Sequence, residues 1–386
     1  MPPRARTYPD GVLPTPEDVR TALSAVNDPE LHRPITELGM VERVDVGADA
    51  VVDVEVLLTI AGCPMREKLT SDVTAAVRGV PGARGVRVRF GVMSPEQRSA
   101  LTVKLRGTTQ AAPTISFNEP GNLTRVYAVA SGKGGVGKSS VTVNLAAAMA
   151  ADGLRVGVVD ADVHGFSVPR LLGVTGRPTK VDSMILPPTG HGVRVISIGM
   201  FVPGNEPVAW RGPMLHRALQ QFVSEVFWGD LDVLLLDLPP GTGDIAISVG
   251  QLLPSAEVLV VTTPQAAAAE VAERAGAVAA QTSQRVVGVV ENMSWLELPD
   301  GQRLEVFGSG GGERVAASLT ERLGAPVPLL GRVPMDVTLR EGGDAGLPVV
   351  LGAPDSPAAQ ALRELARTLA ARPRGLAGRR LGVSVA

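Results

Sequence analysis

Apolar residues along this 386-residue chain keep two rhythms, and the change between them falls near residue 124. The first stretch is half-buried in pattern. Val52, Val54, Val56 and Leu58 alternate with Asp53 and Glu55, and Val86, Val88, Phe90 and Val92 alternate with Arg87 and Arg89. Each run predicts a strand with one face in a core and one in solvent. Val19, Ala22, Leu23 and Val26 recur at helical spacing behind Thr15-Pro-Glu-Asp18, a hydroxyl N-cap followed by proline and acids. Leu69, Val73, Ala76 and Val77 predict a second helix that stops at Gly79. Together these elements predict a small α/β domain over residues 1–93. A short helix over Ser94–Arg106 and an aperiodic run over Gly107–Thr124, rich in Thr, Ala, Pro and Gly, make 94–124 a connecting segment.

From Arg125 onward the apolar runs become continuous. Val126–Ser131, Arg155–Asp160, Val193–Ile198, Val233–Asp237, Val258–Thr262, Val286–Val290 and Val327–Leu330 read as strands, with helical stretches between most of them. Unbroken apolar strands joined by crossover helices predict a mainly parallel sheet covered by helices on both faces. A helix over Ser356–Ala371, with Ala358, Leu362, Leu365 and Leu369 on one face, closes this larger domain, placed at 125–372. That helix carries Arg363, Glu364 and Arg367 and no aromatic anchor, so it reads as a core helix rather than a membrane-seeking one. Residues 373–386, with Arg374, Arg379 and Arg380 among glycines, read as a flexible basic tail.

The chemistry starts where the first of these strands ends. Ser131-Gly-Lys-Gly-Gly-Val-Gly-Lys-Ser-Ser140 lies between strand and helix, the context in which Gly-x-x-x-x-Gly-Lys-Ser cradles phosphate. Gly132, Gly134, Gly135 and Gly137 free the backbone to turn its N–H groups inward, flanking Lys133, Val136, Lys138, Ser139 and Ser140. The helix N-terminus behind the loop adds positive potential towards an anion. Lys138 would reach the terminal phosphates and the Ser139 hydroxyl would ligate Mg²⁺, so ATP and Mg²⁺ are the expected cofactors. Two further strands end in acids. Val156-Gly-Val-Val-Asp160-Ala-Asp162 places two carboxylates at a strand's C-terminal end, where open α/β sheets bind ligands, or where they merely cap a turn. Leu234-Leu-Leu-Asp237-Leu-Pro-Pro-Gly-Thr-Gly-Asp244 ends in a rigid, glycine-hinged loop, and Asp237 fits an acid that organises Mg²⁺ through water.

Charge and cysteine content narrow the class. The formal net charge is −2 and aromatic residues are 3%, so neither a basic field nor a stacking platform argues for nucleic acid. No apolar run of membrane-spanning length and no secretory leader is read in the chain, which predicts a soluble, cytoplasmic protein with no stable membrane association. The one cysteine, Cys63, excludes an intrachain disulfide and any intrachain multi-cysteine metal site. It lies in Ala61-Gly-Cys-Pro-Met65, where it would N-cap the second helix. There it is either a thiolate fit for nucleophilic or soft-metal work or a small buried hydrophobe.

Several stretches carry a family resemblance. Lys133 in Lys-Gly-Gly-x-Gly-Lys-Ser resembles the deviant P-loop of MinD/ParA-type ATPases. The run Asp237-x-Pro-Pro-Gly-Thr-Gly-Asp244 closely resembles the Mrp/ApbC family of ATP-dependent iron–sulfur cluster carriers. Trp210-Arg-Gly-Pro-Met214, Val261-Thr-Thr-Pro-Gln265 and Glu291-Asn-Met-Ser294 agree with it. Asp28-Pro-Glu30, Leu38-Gly-Met-Val41 and Gly62-Cys-Pro-Met65 resemble the small domain of iron–sulfur assembly factors. The resemblance implies a P-loop NTPase fold, ATP hydrolysis in a homodimer, and cluster assembly or transfer to client or scaffold proteins. It implies that Lys133 reaches the partner's phosphates, that Asp160 orients the attacking water with Asp162 as helper, and that Asn292 contacts adenine. The loop Val333-Pro-Met-Asp336, with Pro334 and Asp336, would close over the base. Cys63 would then be an iron–sulfur ligand. One departure stands out: the segment after Asn-Met-Ser294, where many members carry Cys-x-x-Cys, has no cysteine here. The alternative is a MinD/ParA-like nucleotide-gated dimer switch acting on a protein partner, with no cluster of its own.

Overall fold

The computed structural model describes residues 13–60, 65–106, 114–163, 165–201, 212–241, 243–265, 273–274, 278–282 and 284–371. Its contacts divide the chain into two units, each taken over its described residues. One is Met1–Ala112 with Thr179–Leu186, and the other is Pro113–Pro178 with Pro187–Ala386. The larger domain expected as one run over 125–372 is therefore interrupted by a short excursion that belongs to the first unit.

In the first unit, α1 (Pro16–Leu23) opens as its sequence predicts. The Thr15 hydroxyl accepts from Asp18 N, and the Asp18 carboxylate accepts from Thr15 N, a reciprocal cap. Three strands follow in the order β1 (Val41–Val46), β2 (Val51–Leu58), β3 (Gly85–Val92), with β1–β2 antiparallel and β2–β3 parallel. Strand β1 is absent from the sequence reading. A bulge between Val41 and Arg43 puts its buried valines, Val41 and Val44, three apart and breaks the alternation. Helix α2 (Arg66–Arg78) buries Leu69, Val73 and Val77, and α3 (Pro95–Arg106) occupies the stretch expected to be helical. The N-cap of α2 is Met65 rather than Cys63, since the first helical bond runs from Leu69 N to Met65 O. Cys63 itself lies outside the described residues. The excursion is a hairpin of β6 (Thr179–Val181) and β7 (Met184–Leu186).

The second unit is built on a nine-stranded sheet of order β13-β12-β11-β4-β10-β5-β9-β8, with β14 also paired to β12. Strands β4 (Arg125–Ser131), β5 (Val156–Asp160), β9 (Val193–Ser197), β10 (Val233–Asp237), β11 (Glu257–Thr262), β12 (Val286–Glu297) and β14 (Leu329–Met335) are joined in parallel. Only the edge strands β8 (Thr189–Gly190) and β13 (Arg303–Leu304) run antiparallel to their neighbours. Strands β5 and β10 are buried at every residue, as a sheet covered on both faces requires. Helix α4 (Lys138–Ala151), rich in alanine, is buried almost all round. The last helix, numbered α11 (Pro357–Ala371), packs on α4 and β14 through Ala358, Leu362, Leu365 and Leu369, as its apolar stripe predicts. Tyr127 Oη, inside β4, donates to Leu369 O at 3.0 Å and pins this helix to the central strand. Further helices are α5 (Val168–Leu171), α6 (Gly212–Ser224), α7 (Asp244–Leu252), α8 (Gly311–Leu323), α9 (Val337–Ala345) and α10 (Val349–Gly352). The tail, 373–386, lies outside the described residues.

Candidate nucleotide site

The centre of the sheet aligns three strand ends. Register pairs Asp237 of β10 with Val129 of β4 on one side and with Asp160 of β5 on the other. Both acids thus stand beside the glycine loop that runs from β4 into α4. Gly135 and Gly137 adopt φ of +80° and +79°, the left-handed region that side chains disfavour. At Gly137 a Cβ would also fall 2.2 Å from Asn292 Nδ2, so this position admits only glycine on two grounds.

Asp237, wholly buried, gathers the polar groups of the first helical turns. Lys138 Nζ lies 2.7 Å from Oδ1, Thr142 Oγ1 donates to Oδ1 at 2.9 Å, and Ser139 Oγ donates to Oδ2 at 2.5 Å. Lys138 is itself 6% exposed, so this is an interior ion pair at a helix N-terminus. Ser139 and Asp237 offer hard oxygen donors side by side, the donor chemistry Mg²⁺ takes. Thr142, one turn beyond Lys138, was not singled out from the sequence. Its place on the helix face towards β10 is the signal that could have found it.

Asp160 is equally buried but meets no cation directly among the described residues. Its Oδ1 accepts from Asp162 N at 3.2 Å, and Oδ2 accepts from Val168 N at 3.2 Å and Ser197 Oγ at 3.1 Å. Burial first, and then the charge of Asp237, push its carboxyl up to about 8, against the opposing pull of Lys138 and two backbone N–H groups. Asp162 is also buried, and its Oδ1 accepts from Gly165 N at 3.1 Å. Ser197 is a second residue the sequence did not mark. It ends β9 opposite Asp160, and that register is invisible without the sheet.

Lys133 extends from the loop to Gln265, with Nζ 2.7 Å from Oε1. Ser140 lies in the first turn of α4, where its carbonyl accepts from Asn144 Nδ2. Asn292 is 1% exposed, and its Nδ2 donates to Val136 O at 2.9 Å, tying β12 to the phosphate loop. Its Oδ1 is buried with no hydrogen-bond partner among the described residues. Pro334, buried on β14, lies next to Val333, the register partner of Asn292. Asp336 caps α9. Its Oδ1 accepts from Thr338 N and Oγ1 at 2.8 and 2.6 Å, and Oδ2 accepts from Ala358 N at 3.5 Å. Burial pushes that carboxyl up, but the bonds from Thr338, Ser356 and Ala358 outweigh it and hold the carboxyl below its ordinary value. Of the glycine-hinged loop after Asp237, Gly241 N donates to Ser131 O at 2.9 Å, while Thr242 lies outside the described residues. Among the described residues, no cluster of three or more His, Cys, Asp or Glu could hold a metal ion. No helix among them is long and apolar enough to cross a membrane.

Two family profiles cover most of the chain. One described as "NUBPL iron-transfer P-loop NTPase" matches residues 122–370, and one described as "Iron-sulfur cluster assembly protein" matches residues 16–90. The iron–sulfur cluster carrier protein of Mycobacterium tuberculosis is 64% identical over 95% of this chain and 96% of its own length. Proteins of the same name from Deinococcus radiodurans and Bacillus subtilis are 47% and 42% identical. They cover 90% and 83% of this chain, and 93% and 88% of their own lengths. Among solved structures, a nucleotide-binding protein from Archaeoglobus fulgidus in complex with ADP is 36% identical. It covers 57% of this chain and 86% of that one, with a TM-score of 0.49.

Proposed function

The chain belongs to the iron-transfer P-loop NTPase family, and from that premise we propose that it binds and hydrolyses Mg·ATP to drive iron–sulfur cluster transfer to client apoproteins. The observation that carries the ATP reading is the cluster of Lys138, Ser139 and Thr142 on the Asp237 carboxylate at the mouth of the glycine loop. Triphosphate entering the loop draws Lys138 off Asp237 and onto its own oxygens. Ser139 and Asp237 would hold Mg²⁺, which supplies charge neutralisation to the transferring phosphoryl group when bound. Asn292, with one amide atom fixed on Val136 O, turns its remaining acceptor to the amino group of adenine. Asp160 and Asp162 organise the hydrolytic water and the loop that carries it. Lys133 leaves Gln265 to reach the phosphates of a second copy, so hydrolysis belongs to a homodimer acting in the cytoplasm.

The cluster is cargo in this scheme. With one cysteine per chain, its thiolate shell draws on Cys63 and on thiols from a second copy, a client or a scaffold. The same count favours a second reading, a nucleotide-gated dimer switch that carries no cluster itself. Anaerobic reconstitution with iron and sulfide separates the two readings. The carrier reading expects bound iron and acid-labile sulfide in the wild type and their loss in Cys63→Ser. A wild type that hydrolyses ATP and binds no cluster leaves the switch.

A further inference from the structure

The chain from Val168 to Ser197 has both ends on one atom. Val168 N, at the start of α5, and Ser197 Oγ, at the end of β9, both donate to Asp160 Oδ2, at 3.2 and 3.1 Å. Between these two points the chain leaves the second unit at Pro178 and returns at Pro187. The intervening hairpin belongs wholly to the first unit. Its register sets Val181 opposite Met184 and Thr179 opposite Leu186, turned at Asp182 with φ of +52°. Those four side chains share one face and are 7% exposed or less, while Lys180 on the other face is exposed. An eight-residue hairpin cannot supply such burial itself, so its apolar face is held by the rest of the first unit.

Thr179 adds a directed contact within that unit. Its Oγ1 donates to Glu30 Oε1 at 3.3 Å. Glu30 stands in a closely bonded loop, where Asp28 Oδ1 accepts from Glu30 N and Leu31 N at 2.9 and 2.8 Å, and Asp28 N donates to Arg33 O. Pro178 before the hairpin and Pro187-Pro188 after it fix φ and stiffen both connections.

We infer that residues 168–197 form an arm that carries the state of the nucleotide site to the small domain, with Asp160 as its root and the Thr179–Glu30 contact as its tip. The inference rests on the nucleotide-binding reading above. Movement of Asp160 shifts both ends of the arm together, because one carboxylate oxygen holds both. The stiff proline connections then pass that shift to the hairpin instead of absorbing it. The response appears as altered opening of the Asp28–Arg33 loop, whose amide bonds lie beside the tip.

Hydrogen exchange on the full chain, with and without Mg²⁺ and a non-hydrolysable ATP analogue, tests this. The Glu30 and Leu31 amides of the wild type should change exchange rate by about 5-fold or more on nucleotide addition. Pro178→Gly with Pro187→Gly slackens the arm and should abolish that change while nucleotide affinity stays within about 2-fold. Thr179→Val, which keeps shape and removes the hydroxyl, should reduce it and serves if the glycine variant folds poorly. An equal change in both variants overturns the arm, as does no change in a wild type whose α4 amides the analogue protects. Failure of the analogue to protect the α4 amides counts instead against nucleotide binding.

Discussion

Asp237 and Asp160 stand side by side at the ends of adjacent parallel strands, each buried, each within reach of the glycine loop. Their partners differ in kind. Asp237 holds one cation and two hydroxyls, all from α4, while Asp160 holds two backbone amides and a serine from three separate segments. A carboxylate paired with an interior ammonium is placed, on the proposed reading, to exchange that ammonium for a metal ion. One held only by neutral donors, beside a like charge, is driven towards its protonated form. Position in the sheet therefore sets where an acid can act, and the donors around it set what it can do. On the reading proposed above, the first is a ligand in waiting and the second a joint.

The largest effect should come from breaking the charged partnership. Lys138→Met removes the ammonium that would meet phosphate, and ATP affinity should fall about 100-fold or more, read by calorimetric titration. It also leaves Asp237 buried and uncompensated, which costs about 3–5 kcal/mol in an interior pair. Thermal unfolding should show that loss, and adding Asp237→Asn should recover much of the stability but none of the binding. Recovery of neither would mean the pair is not the interior ion pair described.

Asp160→Asn probes the other member, with smaller consequences for binding. The amide cannot accept at both ends, so one of the three segments comes loose and kcat for ATP should fall about 10- to 100-fold. The nucleotide Kd should stay within about 3-fold, since no phosphate ligand is lost. Stability supplies a separate test. The carboxyl titrates near 3.8 ordinarily and at about 8 in the fold, so between those values the folded chain holds the extra proton. Stability from this group is therefore greatest below about pH 4 and declines as pH rises towards 8. The Tm difference between wild type and Asp160→Asn should shift against the wild type across that window. A flat difference would place Asp160 among ordinary, charged carboxylates.

Where the sequence could be read, the reason was local chemistry. The loop from Gly132 to Ser139 is legible because inward-pointing amides demand glycine at fixed offsets, and the two positive φ values fall on two of those glycines. Asp237 and Asp160 are legible because an acid closing a wholly apolar strand has few structural uses. Ser197 is not legible, since its meaning depends on which strand β9 lies beside, and Asp160 is 37 residues away. The hairpin at Thr179–Leu186 fails for the same reason at greater range. Three-residue strands show no period, and the Glu30 contact spans 149 residues. Asp336 is legible by a different route. A family role was expected of it, while the local rule, an acid one residue before a helix, already accounted for its bonds.

The smallest effect should lie away from both acids. If Asp237 and Asp160 serve only the phosphate end, preference for one base over another must survive the loss of either. On the proposed reading that preference rests on Asn292, whose Nδ2 is committed to Val136 O and whose buried Oδ1 has no donor among the described residues. Adenine presents an amino donor where guanine presents a carbonyl, so the acceptor favours ATP and opposes GTP. Asn292→Ala should weaken ATP about 3- to 10-fold more than GTP, the value of one neutral hydrogen bond, since loss of the tether to Val136 O touches both nucleotides alike. Competition titrations of the two nucleotides measure the ratio. It should collapse towards unity in Asn292→Ala and hold in Asp160→Asn; the reverse would make the base sensor part of the joint and erase the division between the two acids.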